Sequence, residues 1–232
     1  MRLLAVAAAT GALALCPASM LSKPELLLPE LSNHMKQAQL DIQQGRWQMA
    51  LAQADCILLS TPIRIWFGFD SKNRRNKGHA KNILKAMDLW QRSMADETLF
   101  EVVDDAEVAD VRVFLVDEIQ RDGYNSGGTI RWERAIVPTD AGGFETRYRA
   151  EITLALSGPN GRKLNSNQMV HAAAHELGHV LGLQDNSEVG NIMGPLDLRK
   201  PARKPSESEI LALTEVRALA NDLRRQAFAV VL

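Results

Sequence analysis

The sequence predicts an α+β protein, and three observations carry that assignment. Period-two alternation marks strands at residues 109–116 and 148–156, where Val111, Val113 and Leu115 alternate with Arg112 and Phe114. Period-3.6 patterning marks helices, with Ile83, Met87, Trp90 and Met94 on one face and Leu213, Val216, Ala220 and Leu223 on another. The two kinds of segment are grouped along the chain instead of alternating regularly. Their order is a helical appendage, a strand, a helix, several strands, a helix rich in histidine, a loop and a last helix.

At 232 residues the chain suits one domain and a small appendage. An apolar fraction of 46% beside 24% charged residues is ordinary for a globular protein, and a net charge of −1 gives no global attraction to nucleic acid or anionic membrane. The N-terminus departs from this composition. Met1-Arg2 starts positive, Leu3 to Leu15 is apolar apart from Thr10 and Gly11, and small residues follow in Cys16-Pro17-Ala18-Ser19. This is the pattern of a secretory signal peptide over residues 1–18, cleaved after Ala18. The apolar run falls short of the ~20 residues a membrane helix needs, so no stable span is expected in the mature chain. Lipid anchoring at Cys16 is disfavoured by Leu15 before it and Pro17 after it. The expected location is secreted or periplasmic. The mature chain keeps only Cys56, which leaves no internal disulfide to form.

Residues 19–61 read as a helical hairpin or a removable prosegment. Residues 22–29, rich in Leu and Pro, read as a linker. Helices are expected over 32–44, with Met35, Ala38 and Ile42 in phase, and over 47–59, with Ala50, Ala54 and Ile57 in phase; Gly45 and Pro62 end them. The run GRWQMALAQADCILLSTP resembles the second half of a tetratricopeptide repeat. One repeat cannot bury a solenoid core, so residues 32–61 are expected to pack on the main domain or to dock a protein partner.

The main domain is expected over residues 62–232. IRIWFGF at 63–69 alternates and reads as a strand, and DSKNRRNKG at 70–78 as a solvated basic loop. A helix follows over 79–94. Strands are expected at 99–103, 109–116, 129–137 and 148–156, with 120–128 a loop and the polar 129–137 an edge strand. Pro159-Asn160-Gly161 is a turn, and Asn165 or Ser166 can cap the next helix. Ser206 and Glu209 form a capping-box pattern before the last helix, whose apolar end at 228–232 is expected to pack.

Chemistry concentrates in HAAAHELGHVLGLQDNSEVGNIMGP at 171–195. His175 and His179 lie four apart, so a helix places both imidazoles on one face, within reach of one ion, and neutral imidazole suits Zn²⁺. Glu176 lies beside that face, where a carboxylate can take a proton from an activated water. Gly182 lets the chain leave the helix sharply and bring Asp185 back as a third ligand. Three protein ligands are the catalytic pattern, since they leave a position for water. Asp185 could instead be a loop residue, with water or Glu188 completing the site. His171, a further four residues back, drifts around the helix and is not expected to bind the same ion. Cys56 could ligate the metal and silence a precursor, but free cysteine is more often a small buried apolar residue. His34 and His79 have no ligand spacing and read as surface or cap residues.

HELGHVLGLQD followed by NIMGP resembles the metzincin zinc peptidases, and most closely their matrixin branch, whose pattern is H-E-x-x-H-x-x-G-x-x-H/D with a downstream Met-turn. MDLWQRS, ADVRVFLV and the capped C-terminal helix extend the likeness over roughly residues 62–228. The resemblance implies a zincin-like fold: a twisted mixed sheet of about five strands, an edge strand over the active-site cleft, an active-site helix, a Met-turn and a C-terminal helix. It also implies one catalytic Zn²⁺ on His175, His179 and Asp185, Glu176 as general base, Met193 in the Met-turn, and a protein or peptide substrate. The implied activity is that of an exported zinc endopeptidase. The alternative is a binding module on the same fold that recruits a partner through the hairpin. Two departures stand out. Asp185 occupies the third-ligand position where matrixins usually carry His, and Gly194 follows Met193 where they usually carry Tyr, which opens the wall of the specificity pocket. Neither the second, structural zinc site nor the propeptide cysteine motif of matrixins is evident.

Overall fold

Alternating apolar residues build a five-stranded sheet through the middle of the protein. The computed structural model describes residues 21–59, 61–74, 76–96, 98–121, 124–158 and 160–231; the expected signal peptide lies outside them. The sheet consists of β1 (Ile63–Phe67), β2 (Phe100–Val102), β3 (Val111–Val116), β6 (Gly128–Pro138) and β7 (Phe144–Ala155), in the order β2-β1-β3-β7-β6. Four strands run parallel, and β6 pairs antiparallel with β7 in a register that sets Gly128 against Leu154 and Arg134 against Tyr148. β6 is therefore an edge strand, with one side left unpaired by the sheet. Val111 and Val113 of β3 and Ile152 and Leu154 of β7 are buried, as their alternation requires.

Five helices complete the fold: α1 (Pro29–Gln43), α2 (Trp47–Leu58), α3 (Lys77–Ser93), α4 (Ser166–Leu181) and α5 (Glu207–Val231). α3 packs along α4, and α2 packs on both α1 and α5. Trp90 of α3, fully buried, joins the first pair by donating its indole N–H to the Ala174 carbonyl at 2.8 Å. Leu31, Met35 and Ala38 of α1 share one apolar core with Trp90, Ile152, Leu177 and Leu213. No helix of the described residues is long and apolar enough to cross a membrane.

Three expectations give way to tertiary structure. Residues 22–29 are a strap, not a linker. Leu27 and Leu28 are buried, Leu27 bridges Leu183, Leu28 N–H donates to Gly182 O at 2.8 Å, and Gln184 N–H donates to Leu26 O at 2.9 Å. Part of the loop expected at 120–128 is an antiparallel hairpin of β4 (Ile119–Arg121) and β5 (Tyr124–Ser126). The C-terminal helix continues to Val231, yet Phe228 is exposed, with the Arg224 guanidinium over its ring.

Candidate metal centre and active-site cleft

Helix α4 is held firmly at both ends. Asn165 caps it by accepting N–H groups of Asn167 and Gln168, and Gln168 returns the bond to Asn165 N–H, a complete capping box. Gly182 ends the helix in the left-handed region at φ 108°, where its N–H reaches Gly178 O and His179 O. A side chain at Gly182 would also collide with Leu31 of α1. The chain then turns back through Leu183, pinned by the strap, and delivers Asp185 to the face of α4.

His175, His179 and Asp185 meet there, each offering a ligand atom within 4.8 Å of the others. Asp185 Oδ1 lies 2.9 Å from His175 Nε2 and 3.3 Å from His179 Nε2. Each Nδ1 faces a backbone carbonyl, that of Ile192 at 2.9 Å for His175 and that of Leu183 at 2.8 Å for His179. A carbonyl only accepts, so Nδ1 carries a proton in each ring; Nε2 faces Asp185, donating to it when protonated and offering its lone pair to a cation when not. Ligand atoms on a tetrahedral ion with bonds of about 2.0–2.1 Å sit about 3.3 Å apart, so this nitrogen and oxygen set fits a zinc-sized cation. Burial disfavours the charged His175, but the hydrogen bond to Asp185 and the charges of Glu176 and Asp185 outweigh it and raise its pKa. Hydrogen bonds from His175 and His179 hold the Asp185 carboxyl far below the usual range. Glu188 stays outside the cluster and accepts from Asn191 Nδ2 at 2.8 Å.

The cluster sits in a cleft of about 790 Å³ between β6 and α4, bounded by Leu28 of the strap and by Met193 to Leu196. Glu176 lines this cleft and is buried beside Gly128 of β6, where a Cβ would fall 2.6 Å from Glu176 Oε1. Trp132 of the same strand stacks on His179 with ring centroids 6.0 Å apart, and its indole N–H donates to Glu30 of α1 at 3.0 Å. Met193 is buried under α4; a side chain on Gly178 would overlap its sulfur. Gly194 is demanded by close approach, since a Cβ there would collide with the Glu188 carbonyl.

His171 lines the cleft but lies outside the three-residue cluster. Its Nδ1 accepts Ala202 N–H at 3.0 Å, and burial pushes its pKa down to about 4. Cys56 is buried in α2, its thiol pushed up to about 11 chiefly by burial, and it too lies outside the cluster. His34 bonds Gln53 across α1 and α2 at 2.6 Å. Sequence reasoning missed Glu209 as a member of the site's frame: fully buried, it accepts Met193 N–H at 2.7 Å besides capping α5. It missed Trp132 and Gly128 as well, because an edge strand's sequence does not say what crosses above it.

The family model described as matrixin matches residues 64–214, from β1 into α5. The match begins after α1 and α2, so the tetratricopeptide likeness of residues 45–62 rests on sequence pattern alone.

Proposed function

The chain belongs to the matrixin family of metallopeptidases, and from that premise we propose that it is an exported zinc endopeptidase cleaving protein or peptide substrates. The observation that carries this reading is the placing of Glu176 in the same cleft as three converging donors, His175 Nε2, His179 Nε2 and Asp185 Oδ1. His175, His179 and Asp185 would hold the zinc. Zinc bound there supplies a Lewis acid that acidifies a water and polarises the scissile carbonyl. Glu176 accepts the proton of the attacking water and passes it to the leaving amine nitrogen as the C–N bond breaks. Its burial beside Gly128 favours that two-way transfer by keeping bulk water from competing for the proton. An extended substrate would run along the unpaired side of β6 at Gly128–Trp132, exchanging main-chain hydrogen bonds with that edge. The proposed signal peptide at residues 1–18 would direct the chain out of the cytoplasm.

The test is Glu176→Gln in the full chain, digesting a proteome-derived peptide library with and without chelator. The parent should cleave, chelation should abolish cleavage, and the variant should retain zinc while losing at least about 100-fold in rate. Full activity in zinc-loaded Glu176→Gln would refute the mechanism. A zinc-loaded parent that cleaves nothing would point instead to a binding module.

A further inference from the structure

Residues 21–58 precede the matrixin match, and the sequence leaves two roles open to them: a prosegment removed on activation, or a lasting part of the fold. A prosegment that silences an enzyme must fill its cleft or ligate its metal. This segment does neither. Of its described residues Leu28 alone lines the cleft, and the cluster of His175, His179 and Asp185 takes no donor from it. Leu31, Met35, Ala38, Ala50, Ala54 and Ile57 are instead buried in the one core shared with α4 and α5, an apolar face that removal would return to water.

Three ties join the segment to the metal-binding helix and the turn after it. The strap pairs with that turn: Leu27 bridges Leu183, Leu28 N–H donates to Gly182 O at 2.8 Å, Gln184 N–H donates to Leu26 O at 2.9 Å, and the Gln184 side-chain amide donates to Glu25 O. Asp185 is the next residue. With 72% of its side chain exposed, packing does not hold it, so its place depends on the backbone to either side. Beyond it, Asn186 N–H donates to Met193 O at 2.9 Å; before it, the strap is the support. The second tie is Glu30 of α1, which accepts the indole N–H of Trp132, the ring stacked on His179. The third is the buried Arg134 guanidinium, which donates to Cys56 O of α2 at 3.1 Å and to Val180 O of α4 at 3.0 Å. Loss of α2 would leave one of those donors without its acceptor.

We infer that residues 21–58 are retained in the active protein and that the strap is a positioning element for Asp185. This rests on the zinc reading proposed above. By fixing the Gly182–Gln184 backbone, the strap sets the third donor against the two histidines before a cation arrives. A donor already ordered costs less on binding than one that must be ordered by the ion. The strap therefore acts on metal affinity through Asp185, without touching the metal itself.

The experiment compares two substitutions at one strap residue in the full chain. Leu28→Pro removes the N–H that Gly182 O accepts, and the backbone already suits proline: Leu28 sits at φ −55° and Leu27 before it is extended. Leu28→Ala trims the side chain and keeps the N–H. Zinc affinity is measured by chelator competition, with Asp185 intact and again with Asp185→Ala. With Asp185 intact, Leu28→Pro should bind zinc about tenfold more weakly than Leu28→Ala. That difference should vanish with Asp185→Ala, because the strap acts through this residue. An equal loss in both backgrounds would show a general effect on the fold and overturn the inference. If Leu28→Pro fails to fold, Gln184→Ala, which drops the bond to Glu25 O, carries the same comparison against the parent. Intact mass of the active protein should include residues 21–58; activity confined to a species that starts beyond residue 58 would also overturn it. A parent that binds no zinc would refute the proposed function and this inference together. A parent that binds zinc, with equal losses in both backgrounds, would refute the inference alone.

Discussion

The Glu209 carboxylate accepts the backbone N–H of Met193 at 2.7 Å through Oε1, while its Oε2 accepts Ser206 N–H at 2.6 Å and the Ser206 hydroxyl at 2.9 Å. One fully buried side chain thus starts α5 and fixes the turn that lies under the histidine helix. Glu209→Ala leaves the Met193 N–H without its acceptor and removes the cap, so it should destabilise the protein by about 2–4 kcal/mol. Glu209→Gln keeps an acceptor for one partner and should cost about half as much. Urea unfolding of the two variants checks this, and equal stability of Glu209→Ala and the parent would contradict it.

Gly128 decides where the Glu176 carboxylate can sit. A Cβ at Gly128 would fall 2.6 Å from Oε1 and 2.8 Å from Cγ of Glu176, too close for either to stay in place. Gly128→Ala should therefore lower kcat by about 100-fold, the cost of a displacement near 1 Å. Zinc content should remain that of the parent. Loss of zinc along with activity would show that the substitution acts on the whole cleft instead.

Asp185 is the one donor of the cluster that comes from outside α4. Asp185→Ala should weaken zinc binding by more than the about 10- to 100-fold that removing a supporting hydrogen bond costs. Competition against a chelator of known affinity measures this. An unchanged affinity would assign the third position to another group.

His171 should make the fold acid-sensitive. Its pKa falls from 6.5 to about 4 in the folded protein because burial disfavours the imidazolium. Between those values the unfolded chain binds the proton and the folded chain does not, so stability is lost as pH falls from about 6.5 toward 4 and is fully present above. The loss is at most about 3 kcal/mol. His171→Asn, which keeps an acceptor for Ala202 N–H, should flatten that part of the profile in chelator-treated protein. A parent and variant with parallel urea midpoints across this range would refute it.

Much of the site was legible because its chemistry is local. His175, Glu176 and His179 lie within two turns of one helix, and Gly182 ends that helix at φ 108°, as an abrupt exit requires. Asp185 joins the same cluster three residues later. The capping boxes at Asn165 and Ser206 are equally local, each closed within four residues. The strap at 22–29 was not legible. Its Leu and Pro content reads as a connector, and only the Gly182–Gln184 turn, more than 150 residues away, gives its backbone groups partners.

Taken alone, the sequence determined the kind of secondary structure in most segments, the hairpin at 119–126 excepted, and the helix that presents two imidazoles and a carboxylate together. Hydrophobic period and short-range spacing reach that far because they act within one element. Tertiary structure alone decided what closes around those residues: Gly128 and Trp132 from the edge strand, Glu209 beneath Met193, and Arg134, which donates to Val180 O in the last turn of α4. These contacts join residues far apart in the chain. Their partners are chosen by strand register and helix packing, which no local pattern encodes.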